Sequence, residues 1–84
     1  MDWESIRQQY PNKWVLLEAI DAHSTDGRRI INKSSVVNYF NDSKEALTEY
    51  KELHKNAPDR ELYVVHTSKQ DLHVVERKWL GIRV

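Results

Sequence analysis

Residues 42–58 carry the strongest helical stripe in this chain, and β-like segments stand on both sides of it. Ala46, Leu47, Tyr50, Leu53 and Ala57 recur at helical spacing and make one apolar face. Lys44, Glu45, Glu49, Lys51, Glu52 and Lys55 are left for solvent. Asp42 or Ser43 supplies the cap, and Glu45 follows Asp42 by three residues in a capping-box arrangement. Asn56 and Pro58 stop the helix. His54 borders the stripe and covers its exposed edge. A lone amphipathic helix must bury its stripe against another layer, so the flanking segments have to supply a sheet.

Ahead of the helix the chain offers a short helix and a hairpin. Asp2 caps a first helix with Trp3, Ile6 and Tyr10 on one face, and Pro11 ends it. Two turns are marginal alone, so Trp3 is expected to pin this helix to the rest of the fold. Residues 13–22 read as a strand, apolar on both faces apart from Glu18, which suits a central position. Residues 23–27 read as a turn, with Asp26 and Gly27 as its strongest signal. The return strand starts at Arg28 and runs to Phe40. Polar residues 32–35 mark either a bulge or a break between two short strands.

After the helix, residues 62–65 are β-branched and aromatic, residues 68–71 turn the chain, and residues 72–79 return. The expected fold is α+β, in the order α-β-β-α-β-β. A four-stranded antiparallel sheet of order 2-1-3-4 carries the long helix on one face, with a right-handed crossover between the second and third strands. With 84 residues, the chain reads as a single domain, residues 1–84.

Composition narrows the function classes. Thirteen Lys and Arg balance thirteen Asp and Glu. A protein that grips nucleic acid through its phosphates usually carries a basic excess, so nucleic acid is a disfavoured partner. Cysteine is absent, which removes disulfides, thiolate catalysis and cysteine metal sites and points to a cytoplasmic location. The start at Met1-Asp2-Trp3-Glu4 has no apolar signal region, and no apolar run is long enough for a membrane span. With two glycines in the chain, no Gly-rich phosphate loop can be built. No serine sits in a nucleophile-elbow context. We therefore expect no cofactor, no bound metal and no catalytic residues.

Four features remain as candidates. A symmetric turn in residues 68–71 would set His66 opposite His73, a pair able to hold a metal given a third ligand; otherwise it is a polar cross-strand pair. Glu18, if buried, would have a raised pKa and suit acid–base work; otherwise it faces water or pairs with a cross-strand base. Arg28, Arg29, Lys33, Arg77 and Lys78 lie in two segments that each carry a net +2, residues 24–41 and 62–84. On one sheet face, with Tyr39, Tyr63 and Trp79 between them, they would form a nucleic-acid surface. Trp79, Leu80 and Ile82 are an apolar cluster near the chain's end, with the composition of a protein interface; otherwise this tail folds back over the sheet and completes the core.

The opening helix followed by Tyr10-Pro11-Asn12-Lys13-Trp14-Val15 resembles a group of small bacterial proteins sharing a domain without an assigned function. In that group a similar opening leads into a strand, a turn, a helix and further strands. The resemblance implies a bacterial, cytoplasmic protein and carries no catalytic residues. Our reading is a non-enzymatic module that binds a protein partner or itself through Trp79, Leu80 and Ile82. The alternatives are weak nucleic-acid binding by the sheet face and an unrecognised enzyme.

Overall fold

The computed structural model describes residues 2–75. In chain order these form α1 (Trp3–Gln9), β1 (Trp14–Thr25), β2 (Arg28–Phe40), α2 (Ser43–Asn56), β3 (Leu62–His66) and β4 (His73–Val75). The α+β class and both helices match the sequence reading. Asp2 caps α1 by accepting the Ser5 N–H at 2.8 Å, which satisfies an otherwise orphaned amide. Asp42 caps α2 by accepting from the Lys44 N–H at 3.0 Å.

The β1–β2 hairpin is longer than residues 13–22 suggested. His23, Ser24 and Thr25 are polar, yet they stay in the ladder, because the turn needs only Asp26 and Gly27. Both adopt positive φ, 50° and 75°, as the two central residues of a primed hairpin turn do. A Cβ on Gly27 would meet nothing within 4 Å. The cost of Gly27→Ala is therefore conformational, about 1 kcal/mol, and thermal melting followed by circular dichroism should show a correspondingly lower midpoint.

β2 runs unbroken through residues 32–35. Register shifts fall between Leu16 and Leu17, between Ala19 and Asp21, and between Asp21 and Ala22, so the polar stretch is bulged rather than broken. Each bulge adds twist, which lets so long a hairpin coil.

β1 is central, antiparallel to β2 on one side and to β3 on the other. Val15, Leu16 and Leu17 are all fully buried, which requires cover on both faces. Val15 and Leu17 join Ile6 of α1, Ile31, Val65 and Leu72 in the core cluster, with Trp3, Tyr10 and Tyr63 packed around it. Leu16 turns to the opposite face. There Asn38, its β2 partner, donates to Glu49 of α2 at 3.4 Å.

Two expectations need correction. First, Leu47 is not part of the buried stripe of α2; it is 46% exposed. The helix rests on Ala46, the one fully buried residue in it, because a small side chain permits close approach. Leu47 sits about 100° further round the helix and is turned toward solvent.

Second, β4 does not lie beside β3. It pairs antiparallel with Arg28–Ile30 of β2, giving the order β3-β1-β2-β4 in place of 2-1-3-4. Residues 67–72 are held against α1 instead of forming a tight hairpin turn. Thr67 is buried, the Trp3 indole N–H donates to the Lys69 carbonyl at 2.9 Å, and Leu72 enters the core. The segment thus crosses the α1 face and reaches the far edge of β2. Trp3 does pin α1, and this crossing segment is what it is pinned to.

Candidate functional site

The site is the outer edge of β3 and the groove between that edge and α2. The Ala19 N–H donates to the Glu61 carbonyl at 2.9 Å, and the Thr67 N–H donates to the Lys13 carbonyl at 2.9 Å. These bonds bracket the β1–β3 ladder, whose register pairs Leu17 with Tyr63 and Val15 with Val65. Inward and outward bonding alternates along an antiparallel pair. Glu61, Tyr63, Val65 and Thr67 therefore bond toward β1, while Leu62 and Val64 turn their N–H and C=O groups outward. β3 ends the sheet, and among the described residues no strand borders that side.

Leu62 and Val64 also share a sheet face with Leu16, the face that α2 covers. With Leu47, Tyr50 and Tyr63 they line a shallow, open, mainly apolar groove. The Tyr50 ring is stacked on His54, with centroids 5.7 Å apart and planes 8° from parallel. An extended segment laid along β3 would find backbone partners at Leu62 and Val64 and an apolar floor beside them.

Two ion pairs anchor this end of the sheet. Arg29 donates from Nε and Nη2 to the Glu61 carboxylate at 2.7 and 2.9 Å, a bidentate pair. The Tyr63 hydroxyl donates to the same carboxylate at 2.7 Å. Arg60 grips Glu18 at 2.8 and 3.2 Å. The Arg29 guanidinium, helped by Tyr63, holds the Glu61 carboxyl below its ordinary range. Arg60 does the same for Glu18. Both carboxylates contribute stability above the unfolded carboxylate pKa, and that contribution disappears as pH falls through their lowered values.

Burial, then the bond to Glu61, pushes the Tyr63 phenol up to about 12. Because this exceeds its unfolded value of about 10, the associated stability is present below pH 10 and fades as pH rises toward 12. Phenolate absorbance on alkaline titration should show a late step, and Tyr63→Phe should remove that step and leave the others.

The sequence candidates fall out differently. Glu18 does not have the raised pKa of a buried acid, because Arg60 keeps it ionised. His66 and His73 do not oppose one another. His66 lies opposite Trp14, whose ring it meets edge-on at 5.0 Å, while His73 pairs with Ile30 of β2. Among the described residues, no three His, Asp or Glu side chains are grouped to hold a metal.

Arg28 and Lys33 are exposed, but Arg29 is committed to Glu61. The bare sheet face that nucleic acid would need is absent over β1 and β3 on the side that α2 covers. Tyr39 is exposed and leans on Tyr10 at 5.0 Å, and Tyr63 belongs to the core periphery. Arg77, Lys78, Trp79, Leu80 and Ile82 lie outside the described residues.

The β3 edge groove was not among the sequence candidates. Its signal was the width of the α2 stripe, since Ala46 and Leu47 are adjacent and a narrow seat buries one of them. Among the described residues, no helix is long and apolar enough to cross a membrane. Comparison with known protein families, with curated proteins and with solved structures returns no match.

Proposed function

We propose that this chain is a non-enzymatic protein-interaction module that takes up an extended segment of a partner as an added strand on β3. The observation that carries this reading is the end position of β3 beside an apolar groove, with the main-chain N–H and C=O groups of Leu62 and Val64 turned away from β1. Main-chain bonds to an edge strand supply affinity, and the adjoining side-chain groove supplies selectivity. Natural proteins usually protect such an edge with charge, proline or a covering element. The outward part of β3 reads Leu62-Tyr63-Val64-Val65 and carries none of the first two.

The test is selection from a displayed library of random peptides against the folded protein. Leu47→Asp serves as the counter-target, since Leu47 is exposed and its replacement should leave the fold intact. Enriched peptides should bind at least ten-fold more weakly to Leu47→Asp and should perturb the Leu62 and Val64 amides in NMR spectra. Peptides that ignore Leu47→Asp and leave both amides unmoved would defeat the reading.

A further inference from the structure

Resting on the strand-addition reading above, we infer that the segment β3 takes up is residues 80–84 of a second copy of this chain. Leu80, Ile82 and Val84 alternate there with Gly81 and Arg83. An added strand with one side over an apolar floor requires that period of two. The segment follows Val75, the last described residue, which closes β4.

One antiparallel register matches the edge residue by residue. It sets Ile82 opposite Leu62 and Leu80 opposite Val64. Those two β3 residues turn their N–H and C=O groups away from β1, so both pairs exchange main-chain bonds. Residues directly opposite share a sheet face, which puts the Leu80 and Ile82 side chains over Leu47 and Tyr50. Gly81 then falls opposite Tyr63 and leaves its ring uncrowded. Arg83 falls opposite Glu61, whose carboxylate accepts from Arg29 and Tyr63 and is complementary to a further cation. A slip of one residue would set Gly81 and Arg83 on the apolar floor instead.

Reach decides that the segment comes from another copy. β4 ends the sheet on the side away from β3, with β2 and β1 between them. A strand beyond β3 is therefore four strand spacings from β4, roughly 19 Å. Val75 is level with Arg28 and so with Thr25 of β1, while Val64 is level with Leu16. The stretch of β1 from Leu16 to Thr25 spans roughly 27–30 Å, so the two points lie more than about 30 Å apart. From Val75 to Leu80 is five residue steps, at most about 18 Å of extended chain. A copy's own residues 80–84 thus fall short of its β3. Reciprocal exchange uses both β3 edges and so ends at two copies. Acidic and basic residues are equal in number, so the copies carry no net charge to repel one another.

Two variants of the full chain test the exchange. Leu80→Asp with Ile82→Asp removes the donor segment, and Leu47→Asp, at an exposed position, blocks the groove. Sedimentation of the unaltered chain should show a dimer, and each variant should weaken it at least ten-fold. Unlabelled Leu47→Asp chain added to the isotope-labelled donor variant should restore one exchange and shift the labelled Leu62 and Val64 amides in NMR spectra. A capped peptide of residues 78–84, titrated to about 5 mM so that binding as weak as about 1 mM is read, should shift the same amides. The same peptide with Leu80 and Gly81 interchanged should bind at least ten-fold more weakly. If the unaltered chain is monomeric at millimolar concentration, or the donor variant dimerises as well as the unaltered chain does, the exchange is overturned. Strand addition with another partner still stands in that case if display-selected peptides move Leu62 and Val64. If the donor variant is unfolded while Leu47→Asp is folded, residues 80–84 belong to their own copy's core and the exchange is overturned. If neither the 78–84 peptide nor the selected peptides move those amides, both readings fall.

Discussion

Leu17→Ala should cost about 2–5 kcal/mol, the range for emptying a fully buried leucine site. Leu17 has no exposed surface; it faces Val36 across one ladder and Tyr63 across the other. Its side chain lies in the cluster with Ile6, Val15, Ile31, Val65 and Leu72. That cluster joins α1, three strands and the crossing segment, so no single neighbour can move in to fill the space. A domain of this kind has a total stability of roughly 5–15 kcal/mol, so the variant should lose a large share of it. Urea denaturation followed by tryptophan fluorescence reads the change. The matched control is Leu47→Ala on α2, expected to cost less than about 1 kcal/mol because Leu47 is half in water. Equal losses at the two leucines would mean that the buried side of α2 has been misassigned.

That contrast also marks what the residues reveal by themselves. Short-range rules located α1, α2 and the first turn, because each depends on neighbours in sequence. Asp2, Asp42 and the Asp26-Gly27 pair act within three residues of themselves. The central place of β1 was legible for the same kind of reason, since Val15, Leu16 and Leu17 cannot all be buried without two covering layers. The position of β4 was not legible. A polar stretch such as residues 68–71 is compatible with a tight turn or with a crossing, and the choice is made by the contacts of Trp3, Thr67 and Leu72 with residues remote from them in sequence. Leu47 was misread because periodicity gives the width of an apolar stripe but not which part of it meets the sheet. The groove beside β3 follows from both misreadings together. Moving β4 to the far edge leaves β3 without a neighbour on its outer side among the described residues, and seating α2 on Ala46 leaves Leu47 and Tyr50 beside that side.

Thr67→Val should be the most damaging change that leaves side-chain volume nearly untouched. Thr67 is 3% exposed and joins three parts of the chain. Its hydroxyl accepts from the Lys13 N–H at 3.0 Å and donates to the Tyr10 carbonyl at 2.8 Å. Its own N–H donates to the Lys13 carbonyl at 2.9 Å, and its carbonyl accepts from Arg7 Nε at 3.0 Å. The hydroxyl thereby closes the turn through Pro11 and Asn12, where Asn12 already sits at a φ of 56°. Valine keeps the shape and removes the hydroxyl, leaving a donor and an acceptor without their partner. Each buried unsatisfied group costs about 1–3 kcal/mol, so a total of about 2–6 kcal/mol is expected. Thr67→Ser keeps both bonds and loses one methyl, about 1 kcal/mol. The damage should also be directional. Hydrogen exchange at Lys13 and through α1 should accelerate in Thr67→Val before exchange at Leu16 and Leu17 does, because the bonds lost are those that hold α1 to the sheet. If the valine variant were as stable as the serine one, the hydroxyl bonds would contribute nothing net. The crossing segment would then be held by Leu72, by Trp3 and by the bonds of Lys13 and Arg7 to the residue 67 backbone.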